Sequence, residues 1–242
     1  MKNGKISAIL NEFKSIRDSD PIIFLDYDGT LVPIIRNPEE SYPDKEIMEI
    51  LQNLRQKYEL YIVTGRSLRE IREFIGGAFN VLALHGAIIS MEDGTTDFAS
   101  DYVRCRNVCD DIYGRKKEFE KNYPGVQIIN KDGGLVFTRW FVQEALHEKL
   151  VEEVRSLSVS NGMELYLGKQ IVEMRIPGPD KGKAIQKARN GRPSLIAGDD
   201  LTDEDAFREN GDALTVHIGT GETVARYSLD SYLDLRQLLL RL

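Results

Sequence analysis

Short apolar runs recur along the chain, and each is followed directly by polar residues or glycine. Uninterrupted runs of this length, without polar alternation, are typical of strands buried on both faces of a parallel sheet. The runs that predict such strands lie at 22–25, 60–63, 81–84, 195–197 and 214–218.

Amphipathic segments separate these runs. The apolar residues between 47 and 54 share one helical face, and 181–189 predicts another helix. Ser67 and Glu70 have the spacing of a capping box, which predicts a helix ending at Gly76. Strands that alternate with helices predict an α/β fold with a doubly wound, mostly parallel sheet. Because such sheets bind ligands at the carboxyl ends of their strands, the polar residues found there are expected to converge.

The stretch from about residue 100 to 175 breaks this rhythm. A helical pattern over 108–119 precedes an expected hairpin of 126–129 and 135–141, and a second helix over 146–157 precedes strands at 163–167 and 170–175. This order predicts an inserted α+β domain with an antiparallel sheet. We therefore expect a core domain of residues 1–100 and 176–242 and an inserted cap domain of residues 101–175.

Composition excludes several classes of protein. With 242 residues, 41% of them hydrophobic and 29% charged, the chain is expected to fold rather than to be disordered. The 32 basic against 39 acidic residues, a net charge of −7, argue against nucleic acid as the main partner. No apolar run approaches the roughly 20 residues of a membrane span. The first 17 residues have helical periodicity rather than a signal peptide's apolar centre, so we expect a cytoplasmic protein without membrane association.

The cysteines carry no chemistry in this interpretation. Cys105 and Cys109 are the two cysteines of the chain and lie four residues apart in a helical pattern. No histidine or further cysteine accompanies them, so they fit neither a disulfide framework nor a zinc site. We interpret them as ordinary helix residues.

Acidic residues follow two of the predicted strands. Asp26 and Asp28 come directly after the first run and precede Gly29, while Asp199 and Asp200 follow a later run. An isolated Asp-x-Asp is usually a turn or a helix cap. Thr202–Asp205 is expected to cap the following helix, which leaves Asp199 and Asp200 unexplained by capping.

A cation would account for such a cluster. If Asp26, Asp28 and Asp199 meet in one crevice, each pair at about 4 Å repels by roughly 4 kcal/mol at an effective dielectric constant of about 20. A bound cation removes this cost. Oxygen ligands alone, completed by water and a substrate phosphate, favour Mg²⁺.

Two further motifs suit anion binding. Thr64-Gly65-Arg66 lies between a predicted strand and a helix N-terminus, where a hydroxyl and free backbone N–H groups can hold a phosphate oxygen. Lys181 opens a predicted helix and can supply a positive charge to the same phosphate. Each is weak alone, because a Thr-Gly pair is usually a turn and such a lysine is usually solvated. They become informative because they follow the acidic motif in order along consecutive predicted elements.

Taken in order, these segments resemble the four motifs of the haloacid-dehalogenase-like phosphatases. Within that superfamily the chain is similar to the trehalose-6-phosphate phosphatase family, through the tyrosine of the first motif, the Thr-Asp-Glu of the last, and the segments 85–86 (HG) and 168–175 (GKQIVEMR). The four motifs are 26–31 (DYDGTL), 64–66 (TGR), 181–182 (KG) and 198–207 (GDDLTDEDAF).

The resemblance implies a mechanism and a role for each residue. Asp26 is expected to be the nucleophile that forms an aspartyl-phosphate, and Asp28 the general acid and base. The Asp26 carboxylate, the Asp28 backbone carbonyl and Asp199 are expected to bind Mg²⁺, with Asp203 in support. The predicted phosphoryl ligands are Thr64, Gly65, Arg66 and Lys181.

The inserted domain resembles the mobile cap of this family. The resemblance implies that Lys169 and Glu173, which share a face of a strand at this spacing, contact the sugar. A solvated cross-strand ion pair is the alternative.

The implied function is hydrolysis of trehalose 6-phosphate, the last step of trehalose biosynthesis, with a functional link to a trehalose-6-phosphate synthase. Three alternatives stay open: a phosphatase for sucrose phosphate or for mannosyl- or glucosyl-3-phosphoglycerate, a phosphomutase, and a non-catalytic regulatory domain. The last predicts loss of catalytic residues, yet Asp26, Asp28, Lys181 and Asp199 are all present.

Overall fold

The computed structural model of the chain describes residues 2–168 and 170–242. They form two compact units. The first unit runs to Asp97 and resumes from Asp180 to Leu242, and the second unit is Phe98–Pro179. Lys169, one of the predicted sugar ligands, lies outside the described residues.

The strands are short and fall into two sheets. In chain order they are β1 (Ile22–Asp26), β2 (Glu59–Val63), β3 (Asn80–Ala83), β4 (Ile88–Ser90), β5 (Thr96–Phe98), β6 (Ile128–Asn130), β7 (Leu135–Thr138), β8 (Glu164–Leu167), β9 (Ile171–Arg175), β10 (Ser194–Gly198), β11 (Leu214–Ile218) and β12 (Tyr227–Leu229).

The helices separate these strands. They are α1 (Lys2–Ile16), α2 (Lys45–Arg55), α3 (Leu68–Ile75), α4 (Tyr102–Gly114), α5 (Lys116–Asn122), α6 (His147–Ser160), α7 (Lys181–Arg189), α8 (Leu201–Glu209) and α9 (Tyr232–Leu239).

The first unit is built on an eight-stranded sheet in the order β12-β11-β10-β1-β2-β3-β4-β5. The pairs from β12 to β3 are parallel, and β3 pairs with β4 in antiparallel orientation. The chain builds outward from β1 in both directions, so the strand order reverses between β1 and β10. The predicted doubly wound, mostly parallel α/β sheet is confirmed, and β1 and β10 flank the point where such sheets bind ligands.

Burial explains why the predicted strands form. Every residue of β1, β10 and β11 is buried, as expected for strands covered on both faces. The capping residue of α3 was also predicted correctly, since Ser67 accepts a hydrogen bond from the Glu70 backbone N–H at 3.2 Å. The short strands β4, β5 and β12 were not predicted, because three-residue segments carry too little periodicity.

The second unit contains an antiparallel sheet in the order β6-β7-β9-β8 and the helices α4, α5 and α6. Two details differ from the predicted pattern. The expected long helix is two helices, because the backbone leaves helical geometry at Arg115. The strand expected over 135–141 ends at Thr138, where the chain turns so that the Val142 N–H bonds the Arg139 carbonyl.

Two smaller expectations also have a structural outcome. Cys105 and Cys109 are buried, unpaired residues of α4, as expected. Among the described residues, the helices are too short or too polar to cross a lipid bilayer.

Candidate active site

Asp26 and Lys181 form the centre of the site. Asp26 is the last residue of β1, and Lys181 is the first residue of α7, whose cap Asp180 accepts a hydrogen bond from the Lys183 N–H at 2.8 Å. Both side chains are buried, and Lys181 Nζ donates to Asp26 Oδ1 at 2.8 Å. The same ammonium donates to Asp203 Oδ1 at 2.8 Å. The fold therefore buries one cation between two carboxylates.

The turn after β1 packs against the end of β10. Thr30 Oγ1 donates to Asp199 Oδ1 at 3.1 Å. Gly29 has a φ of +88°, and a Cβ at this position would lie 2.2 Å from Asp199 Oδ2. Only glycine fits so close a contact with this backbone conformation. The first and last motifs are thus brought together, as the sequence predicted.

Three carboxylates lie close enough to share a cation. One oxygen each from Asp26, Asp199 and Asp203 lies within 4.8 Å of the others. This set is purely oxygen, which suits a hard divalent ion such as Mg²⁺. Asp28 contributes no carboxylate to this set, and its predicted metal ligand, the backbone carbonyl, stays a prediction.

Burial, together with neighbouring acids, raises the pKa values of Asp26 and Asp199. Burial raises the pKa of Asp26 to about 8, against the opposing effect of the Lys181 charge. Burial and the negative charge of Asp203 raise the pKa of Asp199 to about 7. Although burial acts to lower the pKa of Lys181, the charges of Asp203 and Asp26 raise it well above its ordinary value. Without a cation, the carboxylates therefore bind protons at neutral pH.

The position of Asp200 differs from the expectation that helix capping does not explain this residue. It is the N-cap of α8, where its carboxylate accepts hydrogen bonds from the backbone N–H groups of Thr202 and Asp203 in a capping box. The expected cap of Thr202 with Asp205 was wrong, because the helix begins at Leu201 rather than after Thr202. Asp200 is thus explained by capping, and Asp199 is not.

Thr64 and Gly65 follow β2 next to Asp26, which pairs with Val63. The Thr64 N–H donates to the Leu82 carbonyl at 2.9 Å, and Thr64 Oγ1 accepts from the Arg66 N–H at 3.1 Å. The turn itself therefore uses the N–H groups of Thr64 and Arg66, which leaves these two groups unavailable to a phosphate. The Thr64 hydroxyl proton is the remaining donor of that residue.

Arg66 and Asp28 form a second ion pair of the site. Arg66 Nε donates to Asp28 Oδ2 at 2.7 Å, and Nη2 donates to Asp28 Oδ1 at 2.6 Å. Arg66 also bonds Glu70 and the Pro38 carbonyl. The guanidinium predicted to bind phosphate is thus directed at protein groups.

Glu173 lies on β9 in the second unit and is buried. Its Oε1 accepts from Lys131 Nζ at 3.0 Å, and its Oε2 lies 2.7 Å from Arg175 Nη2. Arg175 also lies over the ring of Tyr166, 3.7 Å from the centroid. Glu173 is thus held in a buried cluster of charges, while a pair with Lys169 lies outside the described residues.

Sequence reasoning gave Asp203 a supporting place only, and missed Glu70 and Thr30. Asp203 Oδ2 accepts from the backbone N–H groups of Asp199 and Asp200, at 3.1 and 3.2 Å, so it fixes the loop that carries Asp199. The signal for Asp203 was its position at N3 of α8. Glu70 was assigned to the capping box of α3, and its contact with Arg66 has the i,i+4 spacing of a helical ion pair.

Comparison with known proteins agrees with this geometry. The sequence model of the trehalose-phosphatase family matches residues 24–232. A trehalose-6-phosphate phosphatase-related protein of Thermoplasma acidophilum is 40% identical over 218 residues, which cover 90% of this chain and 95% of that protein. A bifunctional trehalose-6-phosphate synthase/phosphatase of Thermoproteus tenax is 31% identical over 240 residues, 90% of this chain and 31% of that longer protein.

Solved structures show the same fold. A crystal structure of a trehalose-6-phosphate phosphatase related protein superposes with a TM-score of 0.87 at 40% identity, covering 91% of this chain and 96% of that one. A haloacid dehalogenase-like hydrolase from B. subtilis, at 15% identity, superposes with a TM-score of 0.62 over 91% of this chain and 99% of its own. The chain therefore belongs to the trehalose-phosphatase family, is a phosphatase, and shares its fold with a haloacid dehalogenase-like hydrolase.

Proposed function

We propose that this chain is a Mg²⁺-dependent phosphatase that hydrolyses trehalose 6-phosphate to trehalose and phosphate through an aspartyl-phosphate. The observation that carries the proposal is the convergence of Asp26, Asp199 and Asp203 with Lys181 at the carboxyl ends of β1 and β10. The printed names of the relatives support the choice of sugar.

The donor set fits the expected metal. Asp26 and Asp199 would hold Mg²⁺ through carboxylate oxygens, Asp28 through its backbone carbonyl, and Asp203 would hold the loop around it. The raised pKa values of Asp26 and Asp199 support this assignment, because burial makes both ionised carboxylates unfavourable unless a further cation lies beside them. When bound, the ion would supply Lewis-acid neutralisation of the phosphoryl oxygens.

The residues of the site would act in two chemical steps. An Asp26 oxygen attacks phosphorus while Asp28 gives a proton to the departing sugar oxygen, which leaves an acyl phosphate on Asp26. Asp28 then takes a proton from water as that water attacks phosphorus, and phosphate departs from the Asp26 carboxylate. Thr64 and Gly65 would bind the phosphoryl oxygens together with Lys181, whose charge compensates the developing negative charge.

The second unit would serve as the cap. Residues 101–175 would form this specificity domain, and residues 1–100 and 176–242 would form the core. Glu173 and Lys169 would accept and donate hydrogen bonds to the sugar hydroxyls. Glu173 would accept these bonds through the oxygen lone pairs that its ion pairs with Lys131 and Arg175 leave unused. The cytoplasmic location and a functional link to a synthase complete the proposal, and the fused relative from Thermoproteus tenax supports that link.

A panel of phosphate esters tests the substrate. Phosphate release is measured from trehalose 6-phosphate, sucrose 6-phosphate and glucosyl-3-phosphoglycerate, with Mg²⁺ and with EDTA. We expect turnover of trehalose 6-phosphate in Mg²⁺ that is lost in EDTA, and no turnover by Asp26→Asn, which controls for contaminating phosphatases. Equal turnover of all esters would contradict the trehalose assignment, and substantial turnover by Asp26→Asn would contradict the nucleophile.

A further inference from the structure

Both oxygens of Asp28 are held by one guanidinium. Arg66 Nε and Nη2 donate to Asp28 Oδ2 and Oδ1, at 2.7 and 2.6 Å, in the parallel two-bond geometry that arginine forms with carboxylates. The Arg66 side chain is 6% exposed, whereas that of Asp28 is 37% exposed. Asp28 lies in the turn after β1 and is partly exposed. The buried guanidinium of Arg66 therefore holds its carboxylate in one orientation.

The rest of the guanidinium is also engaged by the protein. Nη2 donates to the Pro38 carbonyl at 2.8 Å, Nη1 donates to Glu70, and the guanidinium carbon lies 4.7 Å from the centroid of the Phe74 ring. Arginine has five N–H donors, and four hydrogen bonds to protein groups use four of them. An arginine that binds phosphate would instead direct its paired N–H donors at the anion.

We propose that Arg66 is a positioning residue that fixes the direction of the Asp28 carboxylate for proton transfer, and that Glu70 in turn fixes Arg66. The inference rests on the proposed role of Asp28 as general acid and base. A proton donor must lie within hydrogen-bond reach of the departing oxygen, so its orientation controls its efficiency. No covalent bond prevents rotation of the Asp28 carboxylate. The two hydrogen bonds from Arg66 restrain that rotation.

This role predicts a dependence on the leaving group. A sugar alkoxide needs a proton as it departs, whereas p-nitrophenolate departs without one. Loss of Arg66 should therefore slow hydrolysis of sugar phosphates far more than hydrolysis of p-nitrophenyl phosphate. An arginine that binds the phosphoryl group, or one that only stabilises the fold, would affect both esters equally.

The test compares kcat and KM for both esters in Arg66→Gln, Arg66→Lys and Glu70→Gln, with Arg69→Gln as the control on an exposed position of α3, the helix that carries Glu70. General acid–base catalysis contributes at least about 10²-fold. For Arg66→Gln we expect kcat on the sugar phosphate to fall by about 10²-fold with little change in KM, and kcat on p-nitrophenyl phosphate to fall less than about 5-fold. Arg66→Lys keeps the charge without the fork, so we expect an intermediate loss. Arg69→Gln should match the wild type.

Equal losses on both esters, or a rise in KM alone, would overturn the inference. If Arg66→Gln does not fold, the milder Arg66→Lys and Glu70→Gln give the same comparison. If the wild type hydrolyses aryl phosphates but no sugar phosphate, the proposed sugar is wrong, and phenyl phosphate against p-nitrophenyl phosphate still tests Arg66. A wild type that releases phosphate from none of these esters would overturn the proposed function and this inference together.

Discussion

Lys181 Nζ and Asp26 Oδ1 lie 2.8 Å apart, although 155 positions separate the two residues in the chain. Both side chains are buried, and this pair joins the start of α7 to the end of β1. Asp203 and Asp199 face the same space. Two carboxylates, those of Asp26 and Asp203, therefore share one buried ammonium, and a third, that of Asp199, lies close to both.

Replacing Lys181 by methionine tests the buried ion pairs of Lys181 with Asp26 and Asp203. The change keeps the length of the side chain and removes its charge. We expect kcat to fall by about 10²–10³-fold, the loss typical of one electrostatic contact to a transition state. The free energy of unfolding of the Mg²⁺-free protein should fall by roughly 3–5 kcal/mol at alkaline pH, because the partner carboxylates stay buried without their cation.

Lys187→Met is the matched control for Lys181→Met. Lys187 lies on the same helix, but its side chain is 68% exposed where it pairs with Asp97. An exposed ion pair contributes little, so we expect a change within about 0.5 kcal/mol and full activity. Equal effects of the two substitutions, measured by urea unfolding and phosphate release, would contradict the buried role of Lys181.

The acids of the site predict a pH dependence of stability. The pKa of Asp26 is raised to about 8 and that of Asp199 to about 7, from an ordinary value of 3.8. Between pH 4 and 8 the folded state therefore holds protons that the unfolded state has released. The free energy of unfolding should fall as the pH rises through this window. Urea unfolding in EDTA at several pH values measures the fall.

Asp199→Asn isolates one contribution to this pH dependence. An amide does not titrate, so the fall in the free energy of unfolding between pH 5 and 8 should be smaller than in the wild type. The exposed Asp205→Asn should keep the wild-type fall. Saturating Mg²⁺ should reduce the fall in the wild type, because the ion binds the ionised carboxylates of the folded state. An identical pH dependence in wild type and Asp199→Asn would contradict the assigned pKa shift.

The sequence predicted the framework of the first unit well because its signals are local. The fully buried strands β1, β10 and β11 are continuous apolar runs, and α3 begins at a capping serine, Ser67. The second unit was predicted less closely. Its helix break at Arg115 follows Gly114, a glycine that the sequence analysis did not take as a helix end.

The site was predicted as a set of residues and not as a network of contacts. The strand-end rule placed Asp26 and Asp199 at one edge of the sheet. Local sequence does not specify which cation meets which acid, so Arg66 was expected on phosphate although its guanidinium is directed at Asp28. Asp203 was undervalued for the same reason, because an acid in the first turn of a helix is commonly a cap residue.

Gly29→Ala tests the approach of the first turn to Asp199. A Cβ would lie 2.2 Å from Asp199 Oδ2, and the φ of +88° adds backbone strain. We expect loss of activity together with destabilisation beyond the roughly 1–3 kcal/mol of the strain alone. Gly76→Ala is the matched control, because its φ is +77° and its Cβ would have open space. It should show the strain without loss of activity. Similar activity of the two variants would contradict the contact.

Asp203→Asn tests the support of the metal loop. Asp203 accepts hydrogen bonds from Lys181 and from the N–H groups of Asp199 and Asp200, so both of its oxygens are used. An amide nitrogen would face one of these donors and lose at least one bond, releasing the loop that carries Asp199. We expect the affinity for Mg²⁺ to fall by about 10–100-fold, as for other residues that orient metal ligands.

The measurement for Asp203→Asn is the Mg²⁺ concentration for half-maximal phosphate release, together with calorimetric titration of Mg²⁺ in the absence of substrate. Asp205→Asn, in the same helix, is the control and should match the wild type because its carboxylate pairs with Arg208 on the surface. At saturating Mg²⁺ we expect Asp203→Asn to recover part of its kcat, since the nucleophile Asp26 is intact. An unchanged affinity for Mg²⁺ would place the metal away from this loop and would contradict the carboxylate cluster as its site.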